Sequence, residues 1–449
     1  MTIVHRTIRR LGAVLVSATL ALAPAARAQD TTLNHPLSLG DAARLAARQS
    51  ASALAARYRA EQAQARVTQR RADLLPTISA DAVESGHTLN TATFGFEFPG
   101  LDPDGEIIGP VKTLDFRGHL SQALLDLGAL GRVRSARSSA QASRADAASV
   151  AEQSAALAAG AYLRTQRADA QLAARLADSV LADSLLGIAR EQLRAGVGVA
   201  LDVTRAEAQV AGVRAQLIAA RNERDRSRLD LRRALGLPLD AEVVLADSLS
   251  TLPMSDTLPA ERAAIDRAMR TRPDLRAAEA QLEAARQATG AIKAERLPSL
   301  EAFGDEGWIG SNSGSKLNTY TWGVQVSLPL FDGLRREGRV QEQEAAAREV
   351  ETRLRDLRQQ AAIEVRGSLL DLLSAREQVD ASRERLRLAE QELAQARDRF
   401  RAGVAGNADV ITASLNLNAS RNLVIDALTA YQAARVSLAS AEGTVTSLP

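Results

Sequence analysis

Histidine, cysteine and clustered carboxylates are the side chains that would hold a metal or move a proton. The chain has four histidines, His5, His35, His87 and His119, and no cysteine. No two histidines have the spacing that would place them on one helix face as metal ligands. Without cysteine there is no disulfide, thiolate metal site or thiol nucleophile. His119 falls on the polar side of a strand-like stretch, where it reads as a barrel-interior side chain rather than a ligand. The phosphate-cradling G-x-x-x-x-G-K loop and the G-x-S-x-G nucleophile elbow are both missing. Carboxylates are plentiful, but they alternate with arginines, as in Arg383-Glu384-Arg385. That pattern makes solvated helix faces with i,i+4 pairs. No catalytic constellation emerges, so neither an enzyme nor a cofactor is expected. The net charge of +2 gives no reason to expect a nucleic-acid partner.

One constellation does recur. Leu193-Arg194-Ala195-Gly196-Val197 returns as Phe400-Arg401-Ala402-Gly403-Val404, and each copy is followed at a fixed distance by an aspartate, Asp202 or Asp409. The offset of 207 residues also relates Val203 to Val410, Arg214 to Arg421 and Gly236 to Gly443. A glycine that ends one helix in a left-handed conformation, with an aspartate capping the next, explains each turn locally. Duplication of the unit explains the repetition.

The elements that position these turns are long helices. Ala129 to Arg194 and Leu334 to Arg401 contain no proline and little glycine. Each predicts a helix of roughly 100 Å at about 1.5 Å per residue. Val350, Leu354, Leu357, Ala361, Val365, Ser368 and Leu372 form a seam at spacings of three and four, continued by Leu386, Ala389, Leu393 and Ala396. Partner helices are expected over Asp202–Leu235 and Asp409–Ala441, antiparallel because the links are short. Alanine dominates the apolar residues, and its small side chain lets helices approach closely. Seams of this length require neighbours, as in a coiled coil or stacked bundle. Before each half's strands, Ala47–Leu75 and Pro273–Leu297 read as further helices ending in a Leu-Pro step, at Pro76 and Pro298.

Four strand-like stretches are expected. In Thr319–Leu330, Tyr320, Trp322, Val324, Val326, Leu328 and Leu330 point one way and Thr321, Gln325 and Ser327 the other. In Thr113–Leu124, Leu114, Phe116, Leu120 and Leu124 oppose Asp115, Arg117, His119 and Ser121. Pro76–Leu89 and Ser299–Trp308 are weaker, and Thr91–Pro110 and Ile309–Leu317 read as exposed loops. Such alternation marks either a transmembrane β-barrel or a soluble sheet packed on the helices. A secretion signal and the aromatic residues favour the membrane. Four strands cannot close a barrel and an open edge is not viable in lipid, so spanning strands would have to be shared between subunits.

The basic Arg6, Arg9 and Arg10, the apolar run Leu11–Ala23 and Ala26-Arg27-Ala28 predict a signal peptide over residues 1–28, cleaved after Ala28. With no cysteine at the cut, no lipid anchor is expected. No later segment approaches about eighteen uncharged apolar residues, so no membrane-spanning helix is expected. The expected organisation is a first repeat over 29–236, a Pro-containing connector over 237–259 with room for one small strand, and a second repeat over 260–449.

This ordered set resembles the TolC family of outer-membrane efflux proteins from about Leu37 to Thr444. The carriers of the resemblance are the duplicated turns, Arg194-Ala195-Gly196-Val197 through Leu201-Asp202-Val203 and Arg401-Ala402-Gly403-Val404 through Ala408-Asp409-Val410. The Leu-Pro steps, Arg272-Pro273-Asp274-Leu275 and Ala234-Leu235-Gly236-Leu237-Pro238 add to them. The resemblance implies a mainly α fold with a β-barrel portion. Long antiparallel helical hairpins would form a periplasmic barrel, and four transmembrane strands per protomer would build a twelve-stranded barrel in a homotrimer. It implies an outer-membrane channel subunit of a tripartite efflux or type I secretion system. Such a duct is passive and extends from the outer membrane into the periplasm. The implied partners are its own copies, outer-membrane lipid, a periplasmic adaptor and, through that adaptor, an inner-membrane pump. The turns at Arg194, Gly196, Val197, Arg401, Gly403 and Val404 would be the periplasmic tip on which the adaptor docks. Asp202, Asp409 and Thr412 would lie at the pore constriction. Thr412 stands where the best-known member has a second aspartate, which implies a weaker anionic ring.

Two other readings compete. A periplasmic adaptor carries one helical hairpin flanked by small β-domains, whereas two hairpins are expected here. A coiled-coil envelope scaffold leaves the Trp- and Tyr-bearing alternating strand unexplained.

Overall fold

The fold was examined in a computed structural model, which describes residues 36–94, 104–254, 259–311, 316–402, 404 and 406–449. The expected signal peptide and its cleavage point lie outside the described residues.

Helix α1 (Leu39–Gln49) is followed directly by α2 (Ala51–Ala72). Strands β1 (Thr77–Asn90) and β2 (Ile107–Leu125) come next, then α3 (Leu127–Arg194) and α4 (Ala200–Leu235). The second half runs through α5 (Glu261–Thr271), α6 (Pro273–Ala294), β3 (Ser299–Gly310), β4 (Leu317–Ser327), α7 (Arg335–Arg401) and α8 (Asn407–Glu442). The order is the same in both halves.

Matched lengths govern how the helices stack. The 68 residues of α3 are met by the 36 of α4 together with the 11 and 22 of α1 and α2. The 67 of α7 are met in the same way by α8, α5 and α6. Helix α3 packs against α4, α1 and α2 on one side and against α8 and α6 on the other; α7 lies beyond α6 and α8. The helices thus form four parallel columns. Close approach rests on small residues: Ala155, Ala158, Ala159 and Ala161 of α3 are almost fully buried beside Ala42, Ala43 and Ala46 of α1. The seam expected on α7 is also seen, with Leu354, Ala361, Val365, Ser368, Leu372, Ala389 and Leu393 buried.

The expected helix Ala47–Leu75 is broken in two at Ser50, whereas the one expected from Pro273 starts there and is preceded by an unanticipated short helix, α5. Ser50 ends α1 and caps α2, its hydroxyl accepting from the Ala53 amide at 3.3 Å. Arg272 ends α5 and Pro273 opens α6, where its missing N–H costs nothing. Each break is covered by the glycine that ends the returning helix. Gly236 at φ +70° abuts the backbone of Gln49 and Ser50, and Gly443 at φ +69° abuts Arg272. A Cβ at either glycine would lie under 3 Å from that backbone, so the repeated glycines serve packing as well as the left-handed turn.

The sheet is antiparallel throughout, in the order β1-β2-β3-β4. The pairings of Phe116 with Ala82 and with Trp308 put those residues on one face. Leu114, Leu120, Ile78, Tyr320, Trp322, Val324 and Val326 share that face by alternation, and the Phe116 and Trp308 rings stack at 5.7 Å. Asp81, Asp115, Arg117, His119, Asp305 and Thr321 occupy the other. The strands run further into the expected loops than anticipated, to Ile107 and Gly310, because pairing continues while both chains stay extended. β4 ends at Ser327, short of Pro329, which cannot donate to a ladder.

Two expectations on local structure are corrected. Asp202 and Asp409 do not cap their helices. α4 and α8 start two residues earlier, with Val199 and Gly406 at the N-caps, and both aspartates lie in the first helical turn. There they face the unpaired amides and positive end of the helix. Among its described residues the connector has no strand of its own; it makes one bridge, Leu37 to Leu245, through hydrogen bonds of 2.8 and 2.9 Å.

Candidate functional site: the helical turns and the polar sheet face

The two α-hairpin turns are built alike. After α3, Ala195 is the C-cap, Gly196 adopts φ +75°, and the Val197 amide donates to the Gln192 carbonyl at 3.0 Å. After α7, Ala402 is the C-cap and the Val404 amide donates to the Arg399 carbonyl at 3.1 Å. The same six-residue closure thus recurs at the 207-residue offset. Gly403 lies outside the described residues. Both turns present apolar side chains to solvent, with Val197 78% and Val404 68% exposed, flanked by the exposed Arg194 and Arg401.

The turns lie side by side and are tied together. Gln192 Nε2 donates to the Phe400 carbonyl and Asn407 Nδ2 to the Asp202 carbonyl, each at 2.9 Å. Asn407 is fully buried. Phe400 packs into a cluster with Leu185, Leu393, Val410 and Leu417. Of the expected constriction residues, Asp409 and Thr412 are exposed and stand three residues apart on one face of α8. The Thr412 hydroxyl donates to its own helix, to the Ala408 carbonyl at 3.0 Å. Asp202 is half-buried, with its carboxylate 3.9 Å from Arg205. Its backbone carbonyl accepts from Asn407 of α8. Gln192 and Asn407 were not legible in the sequence. They occupy positions where the copies differ: Asn407 corresponds to Ala200, and Gln192 to Arg399. Such departures from the repeat were the available signal.

About 25 Å from the turn, at 1.5 Å per residue, α3 carries a second tie to α8. Asp178 is 2% exposed and accepts from Arg175 Nη1 at 3.1 Å and from Arg421 Nη1 at 3.0 Å. With its amide oriented to suit its neighbours, Asn418 donates to the same carboxylate at 2.6 Å. Burial pushes the Asp178 carboxyl above the usual carboxylate range, against the opposing pull of Arg421 and Arg175.

At the other end, the polar sheet face carries a charged network. The Arg117 guanidinium spans three strands, donating to Asp305, to Asp115 at 3.3 Å and to Thr319 at 3.1 Å. His119 Nε2 lies 3.3 Å from Asp81. Among the described residues no cluster of histidines and carboxylates has metal-binding geometry, and no helix is long and apolar enough to cross a membrane. The arrangement is therefore a sheet with one lipid-compatible face and one hydrated face, hung on four columns of helix that end in two paired turns.

The chain was compared with known proteins. No curated protein sequence matches it. Solved structures are similar over most of its length. They include a membrane protein from Pseudomonas aeruginosa (TM-score 0.76, 21% identity, 90% of each chain covered). The Campylobacter jejuni CmeC outer membrane channel matches at a TM-score of 0.75 and 18% identity, covering 90% of this chain and 85% of that one. The open state of the Neisseria gonorrhoeae MtrE outer membrane channel matches at 0.74 and 20% identity, covering 90% and 88%. The family model for outer membrane efflux proteins matches residues 42–237 and 264–444, one span in each half. The chain belongs to the outer membrane efflux protein family, as an efflux channel subunit located in the outer membrane and extending into the periplasm.

Proposed function

We propose that three copies of this chain assemble into one passive duct that works with a periplasmic adaptor and an inner-membrane pump. The observation that carries the reading is the open sheet: among the described residues β1 pairs only with β2, and β4 only with β3. One face of that sheet is apolar and aromatic, and its edge amides would be unsatisfied in lipid. Edge-to-edge pairing of three copies makes twelve strands and leaves no edge. The outer helical columns support the same assembly. Ile363, Leu370 and Leu388 are exposed on α7, and Ile218 and Leu229 on α4. Residues 29–236 and 260–449 would be the two repeats that build the wall, and 237–259 the girdle between them.

The paired turns would form the periplasmic mouth. Arg194, Gly196, Val197, Arg401, Gly403 and Val404 would meet the adaptor, with Val197 and Val404 as its apolar contacts. Three copies of Asp409 around the axis would concentrate negative charge and favour cations, with Asp202 and Thr412 nearby. No chemistry is performed on the cargo; the pump supplies the work.

The test is export by cells that lack their own duct but retain adaptor and pump. Wild-type protein restores export. Val197→Glu combined with Val404→Glu abolishes it while the protein remains trimeric in the outer membrane, because both positions are exposed and make no core contact. Full export by the double variant overturns the docking assignment. Recovery of the wild-type chain in the inner-membrane or soluble fraction overturns the duct itself.

A further inference from the structure

At the loop end of the sheet, the lipid-compatible face holds a groove of about 300 Å³ lined by Ala82, Leu114, Phe116, Trp308, Gly310 and Lys316. Its volume equals roughly ten groups the size of a water molecule, at about 30 Å³ each, so it accepts a segment of one hydrocarbon chain. The stacked Phe116 and Trp308 rings are among its walls. One end is charged. Lys316 immediately precedes β4 and shares the outward parity of Tyr320 and Trp322. Among the described residues it has no ion-pair partner, whereas Lys293 in the helical region is held by Glu344 at 2.8 Å.

The residue choice is itself informative. The chain contains 56 basic residues, of which only Lys112, Lys293 and Lys316 are lysines. Two of these three lie in the loop-proximal half of the sheet with outward parity, Lys316 just before β4 and Lys112 within β2. Lys112 stands opposite Gly86 on β1, one same-face step beyond Leu114. Lysine has a long apolar stem and a compact ammonium, which suits a group that rests along hydrocarbon and reaches a headgroup. Two carboxylates share this face: Glu84 is paired with Leu114, and Glu306 with Gly118. Both lie on strands other than the one Lys316 opens, and neither lines the groove. Among the described residues the cation at the groove's end is therefore free for an anion.

We infer that this groove holds one acyl chain of a phosphorylated glycolipid of the outer leaflet, whose phosphate pairs with Lys316. The choice of leaflet follows from the fold. The helices leave the sheet at Leu125 and beyond Ser327 and extend into the periplasm, so the Gly310–Lys316 end faces outward. Phosphate matches an unpaired ammonium, and hydrocarbon matches the aromatic floor. The inference rests on the placement of this sheet in the outer membrane.

Fluorescence offers a direct test, because the chain has only two tryptophans, Trp308 in the groove and Trp322 outside it. A Trp322→Phe protein, reconstituted as the assembled channel in phosphatidylethanolamine nanodiscs, is titrated with brominated lipid A. The bisphosphorylated form is expected to quench Trp308 at about fivefold lower concentration than the dephosphorylated form, the factor one surface lysine contributes to anionic-lipid binding. Lys316→Gln removes that preference, and Lys293→Gln retains it. Brominated phosphatidylglycerol, with a single phosphodiester and two acyl chains, is expected to require a higher concentration than bisphosphorylated lipid A. Equal quenching by the two lipid A forms, or a preference that survives Lys316→Gln, overturns the site. A match by phosphatidylglycerol overturns the glycolipid assignment. Failure of the protein to insert at all overturns the membrane placement and the site with it.

Discussion

Removing the Asp178 carboxylate should loosen α3 from α8 without unfolding either hairpin. The carboxylate has almost no contact with water, and both of its ion pairs and the Asn418 amide converge on it. Deleting one partner of a buried ionic group costs about 3–5 kcal/mol, because the remaining charges lose their compensation. Arg175 and Arg421 keep 19% and 29% of their side-chain surface, so they recover some hydration and the lower figure of about 3 kcal/mol applies. Hydrogen exchange followed by mass spectrometry reads this locally. In Asp178→Ala, amides around residues 175–182 and 414–421 should lose roughly 150-fold in protection, given about 1.4 kcal/mol per tenfold. Peptides from the sheet should not change. Asp178→Asn keeps the shape and one acceptor but not the charge, so it should fall between wild type and Asp178→Ala. The pH dependence has a definite sign. The folded pKa is raised, so ionisation of this group costs stability. Its contribution is fully present below the unfolded carboxylate pKa and is lost as pH rises through the folded one. Mild acid should therefore tighten this region in the wild type and do nothing extra in Asp178→Asn. An Asp178→Ala protein with unchanged local protection, or a wild-type node that opens selectively in acid, would refute the reasoning.

Other outcomes follow from the same structure. Asp409→Ala should raise single-channel conductance or lower cation preference in planar bilayers, since the carboxylate is exposed at the proposed mouth; an unchanged current sinks its assignment to the constriction. Tyr162→Phe should cost about 1–3 kcal/mol in denaturant unfolding. The Tyr162 hydroxyl donates to the Leu37 carbonyl at 2.9 Å or to Asp247 Oδ2 at 3.1 Å, and burial pushes the phenol well above its ordinary value, so it stays neutral. A midpoint within error of wild type would show that water replaces the lost group.

Much of the fold was legible because it is periodic. Seams at spacings of three and four, alternation by two, and one offset linking the halves placed the long helices to within two residues at their starts. What stayed hidden depends on neighbours distant in sequence. The break at Ser50 looks like an ordinary helix position until Gly236 is seen pressed against it, and the short α5 before Pro273 carries too few apolar residues to stand out until Gly443 is seen packed on Arg272. Asp202 and Asp409 have the residue type of a cap, yet their helices begin earlier, where Val199 and Gly406 offer no side-chain acceptor. The ties through Gln192, Asn407 and Asp178 join residues separated by more than two hundred positions. No local pattern marks them. The exposed valines of the turns, by contrast, were found directly, because duplication drew attention to them.

The shared barrel is tested most directly by the mass of the assembly. Native mass spectrometry of protein extracted from outer membranes in mild detergent should give three copies of the chain in one particle, with no stable monomer. A monomer that stays folded and dispersed in detergent would contradict it. Its four strands would then have satisfied both edges without partners.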